Sequence, residues 1–574
     1  MKRRQEARRL RFGAVAGDEA RRFNRLDEAI VRYETYLKRH PRDLGVGLRL
    51  VLVLREVGRH REATVLLRTL IARRPRDLKL LAVLAETLDE GGEPESAEHL
   101  YTAIVSKDPV NEAARQASAR IRQALDASST PLPRPPSDHS RRPLDEAVEH
   151  EPELCLEAGA TLFDEAREWF DWAIRQGATA VYADHQGPNG EIRLQAGPHP
   201  LDLATNPYPP PAAMFAQGVL RSGEDIRTGL TRALVHGSVI HVPLVLSRVD
   251  TEGEAYGVAP FSSKPHDDRL LVVIPTRDAV EELTVMLRSL VALAAKADLI
   301  DLVVVDNGSR PPLNAEALTR DCGSPVEVVQ VDEPFNWSRL NNLACADRSQ
   351  AIFVFANNDM EMVTSHWDEA LRRAFAAPGV GVTGARLIYP NGLLQHGGIV
   401  MGGLNGEPLH DGWRAPGNEP GPLCRWARSR PATAVTGGFL AIRRTLFYAI
   451  GGFDEVDLPV SCSDVDLCLK AGALGWTVLY VAEITVRHHE SLTRGHAHTE
   501  EERRRAAKEM QTLLGRWGER AAYDPTRNPQ WETRGLRLYA GRRTLTTEQV
   551  VDWALKTKSR GGDLPDQSLT PTLA

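Results

Sequence analysis

Three short polar clusters each end an apolar run in the second half of this chain: Pro275-Thr276-Arg277-Asp278, Asp306-Asn307-Gly308-Ser309 and Asn357-Asn358-Asp359. Further on, VRHHES carries His488 and His489, and SCSDVDLCLK carries Asp464 and Asp466. Carboxylates and amides of this kind can hydrogen-bond a nucleoside, and a carboxylate can take the proton of an attacking hydroxyl. Mg²⁺ and Mn²⁺ prefer oxygen ligands, keep several waters and accept diphosphate oxygens, so one carboxylate and one imidazole can suffice from the protein. Asp359 and His488 are the candidate pair. His489 stays open as the alternative, because adjacent strand residues point to opposite faces and only one can aim at a metal. Each residue also has a plain structural reading: Asp306 begins good turn chemistry, Asn336 suits a helix cap, and a histidine in a strand-end loop is often only structural.

The elements that would position these residues alternate. LLVVIP, DLVVVD, VEVVQV and AIFVFA are continuous apolar runs rich in β-branched residues, and VEELTVMLRSLVALAAKA between the first two has helical character. Such alternation predicts a mostly parallel sheet covered by helices on both faces. Ligands of these sheets sit outside the carboxyl ends of the strands, where the polar clusters fall. No GxGxxG follows the first strand, and the lone GGFDE is no dinucleotide fingerprint, which disfavours a nicotinamide site.

Taken in order, LLVVIPTRD, LVVVDNGS, EPFNWSRLNNLA, FVFANNDMEM, GARLIYPNGLLQHGGIVMGG, AVTGGFLAIRR, IGGFDE, SDVDLCLKAGALGW and VRHHESLTRG resemble family 2 glycosyltransferases of the rhamnosyltransferase-like type, which have the GT-A fold. The resemblance runs from about Arg269 to Gly495. It implies an inverting, metal-dependent transfer of a sugar from a nucleotide-sugar donor to a glycan or lipid-linked acceptor in bacterial surface polysaccharide assembly. By the same resemblance Thr276, Asp278 and Asp306 form the nucleoside pocket, and Asn336, Arg339, Asn342, Asn357 and Asn358 approach the nucleotide sugar. Asp359 and His488 would hold Mg²⁺ or Mn²⁺. Asp464 is the implied base, with Asp466 as the next candidate, and Gln395, His396, His410, Trp413, Gly437 and Gly438 lie where the family shapes its acceptor pocket. Two departures stand out: the family's Asp-x-Asp is Asn357-Asn358-Asp359 here, and Ser463 precedes the base where the family has an acid or Asn. They leave room for a rival reading, an inactive scaffold that binds partners through its N-terminal repeats. A nucleotidyltransferase would want a glycine-rich, basic loop after the first strand, and PTRDAVEEL is neither.

The rest of the chain frames this unit. In the first 127 residues Pro41, Pro75 and Pro109 recur every 34 residues, as do Ala29, Ala63 and Ala97, and this segment resembles tetratricopeptide repeats with a capping helix near Asn111 to Ala127. A concave surface for a protein partner is the functional reading, a helical spacer the bland one. Residues 128–143 are rich in Pro and Ser and read as an extended linker. Residues 144–260 read as a degenerate transferase-like α/β region packed on the catalytic unit at 268–498. Residues 499–574 read as an amphipathic helix and a tail; Thr499 and Glu502 have capping-box spacing, and Ala506, Met510, Leu513, Leu514 and Trp517 form one stripe. That stripe is expected to pack on the domain, with a membrane surface as the alternative.

With 574 residues the chain needs several domains, and a net charge of -6 gives no signature of nucleic-acid binding. Six cysteines without a CxxC pair suggest a reducing compartment, and no apolar run approaches a membrane span. The expectation is a cytoplasmic protein, at most peripheral at the inner face of the membrane.

Overall fold

The computed structural model describes residues 15–21, 25–41, 43–74, 77–91, 94–127, 132–136, 151–188, 190–251, 265–403, 406–489, 499–534, 537–540 and 545–558. The N-terminal region is a run of helices, Leu26–Arg39, Leu44–Glu56, His60–Arg73, Leu78–Glu90, Pro94–Lys107 and Glu112–Ala127. The repeated alanines Ala29, Ala63 and Ala97 are wholly buried, because a larger side chain would not fit where the paired helices cross. A Cβ on Gly17 would lie 2.5 Å from the Tyr33 ring, so this first glycine also marks a close approach. Asp43 and Asp77 cap two helices by accepting the amides of Val46 and Leu80.

The repeats do not stand apart. Tyr389, Leu393 and Trp413, all from the C-terminal half, pack into their apolar core. The segment expected as a free linker is docked where it is described: Trp169 donates to the Pro133 carbonyl at 2.7 Å and Leu132 packs on the neighbouring core, while 128–131 and 137–143 lie outside the described residues.

The middle region is a six-stranded mixed sheet in the order Glu153–Leu156, Ala212–Phe215, Ala180–Gln186, Val239–Val249, Ala160–Leu162, with Ile192–Arg193 beside the third; among these only Ala180–Gln186 and Val239–Val249 run parallel. It rests on the C-terminal half through Arg428, which reaches Asp202 at 2.8 Å and Thr205 at 2.9 Å in a buried contact.

The C-terminal half holds a ten-stranded sheet. Ile352–Ala356, Leu270–Thr276, Ile300–Asp306 and Val326–Gln330 are parallel neighbours, as the apolar runs predicted. Beyond Ile352–Ala356 the sheet becomes mixed: Phe439–Arg443 is antiparallel to it and to Val380–Ile388, and Val380–Ile388 is parallel to Thr477–His488. The expected mostly parallel sheet is thus corrected to a mixed one, since Phe439–Arg443 enters between Ile352–Ala356 and Val380–Ile388 against the direction of both. Alternate residues of each strand feed two cores, Leu271 and Val273 on one face and Leu270, Val272 and Ile274 on the other.

The capping box at Thr499 forms in both directions, opening the helix Glu500–Trp517, and Met510, Leu513, Leu514 and Trp517 pack on the core of the ten-stranded sheet. The tail then crosses to the middle region, whose core takes in Leu545, Val550 and Ala554. No described helix is long and apolar enough to cross a membrane.

Candidate functional site

Asp359 lies just beyond Ile352–Ala356, and the strand Met360–Met362 pairs with Thr477–His488 so that Met360 faces His488. This register brings the two candidate ligands together although 129 residues separate them: Asp359 Oδ1 is 3.1 Å from His488 Nε2. Gln395 Oε1 meets the other ring nitrogen, Nδ1, at 2.8 Å, and Asn357 Nδ2 lies 3.5 Å from Nε2. His489 turns away; its amide donates to the Asp359 carbonyl and its ring sits 4.0 Å from Glu361.

The donor set tests the fit of a cation. A carboxylate and an amide oxygen only accept, and a neutral imidazole carries one N–H for two nitrogens. With Gln395 Oε1 on Nδ1 and Asp359 Oδ1 on Nε2, one contact would set lone pair against lone pair. A cation at Nε2 and Oδ1, with the ring proton on Nδ1 donated to Gln395, satisfies both contacts. Among the described residues no group of three or more His, Cys, Asp or Glu side chains converges. Two protein ligands with water and diphosphate oxygens for the remainder fit Mg²⁺ or Mn²⁺, not structural zinc.

Asp464 stands in the first turn of the helix Ser463–Ala473, half-buried. Its Oδ2 accepts the Gly437 amide at 2.7 Å, and the next carbonyl, that of Gly438, accepts the Asn357 amide at 3.0 Å. The two glycines thus join the acidic loop to the Asn357-Asn358-Asp359 segment. A Cβ on Gly437 would lie 2.8 Å from the Trp337 ring and 3.3 Å from Asp464 Cβ, and one on Gly438 2.8 Å from Met360 Cε, so both positions are set by close approach. Asp466 is wholly buried and ion-paired to Lys470 at 2.8 Å and Arg516 at 3.0 Å, with Trp517 Nε1 donating at 2.9 Å.

The nucleoside candidates meet at the ends of Leu270–Thr276 and Ile300–Asp306. Asn358 donates to Thr276 Oγ1 at 2.8 Å. Asp306 accepts the amides of Ser309 and Leu313, each at 2.9 Å; burial pushes its carboxyl up, and those bonds outweigh it and hold the group below the usual carboxylate range. Asp278, in a left-handed conformation at φ 54, donates its amide to Ser309 Oγ and accepts the Arg310 amide. Asn336 caps Trp337–Cys345 and donates to the Glu455 carbonyl, Arg339 pairs with Glu333 at 2.5 Å, and Asn342 makes two bonds to the Phe453 backbone. Asn336 and Asn342 therefore clamp the helix to the GGFDE turn, while Arg339 ties it to the segment before it.

The acceptor candidates separate. Gln395 belongs with His488. His396 is buried, held well below its ordinary value by burial and by His410 and Arg430, and hence neutral; its Nε2 faces the Thr436 amide and its Nδ1 lies 2.9 Å from that of His410. Trp413 instead donates to the Tyr389 hydroxyl and joins the repeats. Beneath this loop lies a cluster the motifs did not reveal: Asp411 takes Arg425 at 2.6 Å, Arg430 at 2.8 Å and the Trp426 indole at 2.8 Å, and burial with Arg425 nearby pushes Arg430 down to about 9. No spacing in LHDGW or RWARSR signals that pairing.

Residues 54–121 match the tetratricopeptide repeat family. The chain is 37% identical over 280 residues to the protein y4gI of Sinorhizobium fredii, covering 48% of this chain and 31% of that one. It is 34% identical over 228 residues to the O-antigen biosynthesis protein RfbC of Myxococcus xanthus, covering 39% and 18%. It is also 28% identical over 155 residues to the N-acetylglucosaminyl-diphospho-decaprenol L-rhamnosyltransferase of Mycobacterium tuberculosis (strain ATCC 25618 / H37Rv), covering 25% and 48%. The C-terminal half is a glycosyltransferase-like domain. The chain spans less than half the length of each of these relatives. In the glycosyltransferase-like domain the convergence of Asp359, His488, Asp464 and the two glycines is the arrangement with chemical capacity.

Proposed function

We propose that the glycosyltransferase-like domain moves a sugar from a nucleotide-sugar donor to a glycan or lipid-linked acceptor in bacterial surface polysaccharide assembly, with inversion at the anomeric carbon. The observation that carries this reading is the Gly437-Gly438 junction, which sets the Asp464 carboxylate beside the segment bearing Asp359 and its partner His488. Thr276, Asp278, Asp306 and Asn358 would receive the nucleoside at the strand ends. Mg²⁺ or Mn²⁺ held by Asp359 and His488 would supply charge neutralisation for the departing diphosphate.

Asp464 accepts the proton of the acceptor hydroxyl while its oxygen bonds to the anomeric carbon. The bond from that carbon to the diphosphate breaks, and the nucleoside diphosphate leaves with the electron pair. Gln395 fixes the His488 ring, and the amide of Gly437 orients Asp464. The engaged Asp466 carboxylate fits a brace for the loop better than a base. Trp413, on the repeat side, favours a role for the repeats in forming or carrying the acceptor side.

The test is a panel of nucleotide sugars with Mn²⁺, read first as thermal shift and then as transfer or donor hydrolysis. One donor should bind in a metal-dependent way and be turned over. No donor binding across the panel would favour the scaffold reading, and full activity in EDTA would sink the metal-dependent mechanism.

A further inference from the structure

A cavity of about 620 Å³ lies where the middle region, the glycosyltransferase-like domain and the tail meet. Its walls are largely apolar, with Leu234 and Val235 from the middle region, Leu469, Trp476 and Val478 from the domain, and Tyr523 from the tail. Arg520 and Lys556, both exposed, also line it, and no Asp or Glu does. Lys556 pairs with Asp552 at 3.0 Å, but both side chains are open to water and such a pair holds the ammonium weakly. The volume falls in the range of small-molecule sites, about 300 to 1,000 Å³, and an apolar interior with a few placed polar groups is their usual chemistry.

An apolar wall favours a hydrocarbon chain, and an arginine with a lysine favours a head with several anionic oxygens. We propose that this cavity binds a single-chain lipid phosphate, its chain against Trp476, Leu469 and Val235 and its phosphate against Arg520 and Lys556. The site is separate from Asp359 and His488, and it does not rest on the transferase reading. It does touch the same machinery, because Gly472 in its wall and Asp464 lie on one helix, about 12 Å apart along the axis.

Gly472 supplies a clean probe. A Cβ there meets nothing within 4 Å, and replacing a helical glycine also favours the helix. Gly472→Trp should therefore fill the cavity while the thermal transition holds or rises. The experiment is calorimetric titration of the full chain with dodecyl phosphate below its micelle concentration, beside dodecanol, inorganic phosphate and dodecanoate. Dodecyl phosphate should bind one to one, and Gly472→Trp or the double charge reversal Arg520→Glu with Lys556→Glu should each weaken it by at least about tenfold. Dodecanol and inorganic phosphate should each bind at least about tenfold more weakly, which requires both chain and head. Dodecanoate binding as tightly as the phosphate would replace a lipid phosphate by a fatty acid and overturn the proposal, as would wild-type affinity in Gly472→Trp or no binding of dodecyl phosphate. If Gly472→Trp melts early, the double charge reversal at two exposed positions decides alone.

Discussion

Asp464 and Asp466 stand two residues apart on one helix, about half a turn and so on nearly opposite faces, in surroundings that assign them different work. Asp464 has a half-open carboxylate steadied by the Gly437 amide, whereas Asp466 is closed in by Lys470, Arg516 and Trp517. Asp464→Asn keeps the shape and cannot take a proton, so kcat should fall roughly 10²- to 10⁴-fold while donor affinity, measured by titration, stays near wild type. Asp466→Asn should cost about 1 to 3 kcal/mol in urea unfolding, because its buried oxygens lose charge-assisted bonds to the partly exposed Lys470 and Arg516, although Arg516 keeps Asp454. Should Asp466→Asn abolish turnover at unchanged stability while Asp464→Asn does not, the two roles are reversed. A different outcome is expected for Gly437→Ala, whose methyl group meets the Trp337 ring: kcat should drop with the metal affinity unchanged, since Asp464 moves and Asp359 does not. At this scale the meeting of Asp359 with His488, proposed here as metal ligands, was legible, because strand-end position and motif order both pointed to that pair. The sequence could not carry the inward bonds of Asn336 and Asn342, the surface ion pair of Arg339, or the turn of Gln395 onto His488, since those depend on contacts made across 93 to 119 residues or on a local ion pair.

Elements fix these residues by bracing one another. The helix Glu500–Trp517 reaches back to the acidic loop: Arg516 pairs with Asp454 at 2.7 Å and with Asp466, and Glu509 accepts the amide of Val460 at 3.1 Å. Its amphipathic stripe was legible from the period of apolar residues, and the structure turns that stripe onto the protein. The repeats were legible by their 34-residue period, but their attachment was not. Tyr389, Leu393 and Trp413 sit at unremarkable spacings and bury themselves in the repeat core only because the loop folds back. Removing residues 1–127 should therefore lower the melting temperature of the remainder and reduce transfer to acceptor more than it reduces donor binding. Unchanged melting and unchanged transfer would show that the repeats are only a spacer.

Across the whole molecule, several buried imidazoles tie stability to pH. Burial pushes His185 down to about 3 and His199 down to about 4, from an ordinary value of 6.5. A base whose folded pKa is depressed is neutral in the native state, so its contribution is present above the unfolded value and is lost as pH falls toward the folded one. His199 accepts the Leu201 amide at Nδ1 and meets Thr477 of the catalytic sheet at Nε2, 3.2 Å away, so it spans the joint between the two α/β units. Melting temperature should decline as pH drops from about 6.5 to about 4, and His199→Gln should flatten part of that decline. A melting curve indifferent to pH over that window would remove these histidines from the account.

The middle region also holds a buried network that its own segment cannot complete. Asp184, raised by burial, accepts from His241 at 2.9 Å, from the Gln195 amide at 2.7 Å, and from Asn528 and Gln530 of the tail. The Trp553 indole can only donate, so His241 Nδ1 accepts it and Nε2 carries the proton toward Asp184. Because 312 residues separate His241 from Trp553, a ribosome adding 5 to 20 residues per second needs roughly 15 to 60 s between making the two. During that interval the nascent middle region has its acid, its imidazole and part of its apolar core waiting for partners that do not yet exist, while the catalytic strands that follow can already pair. The order of synthesis thus differs from the order of the fold: the middle region is made before the glycosyltransferase-like domain, yet its buried network is completed only by the tail that follows that domain.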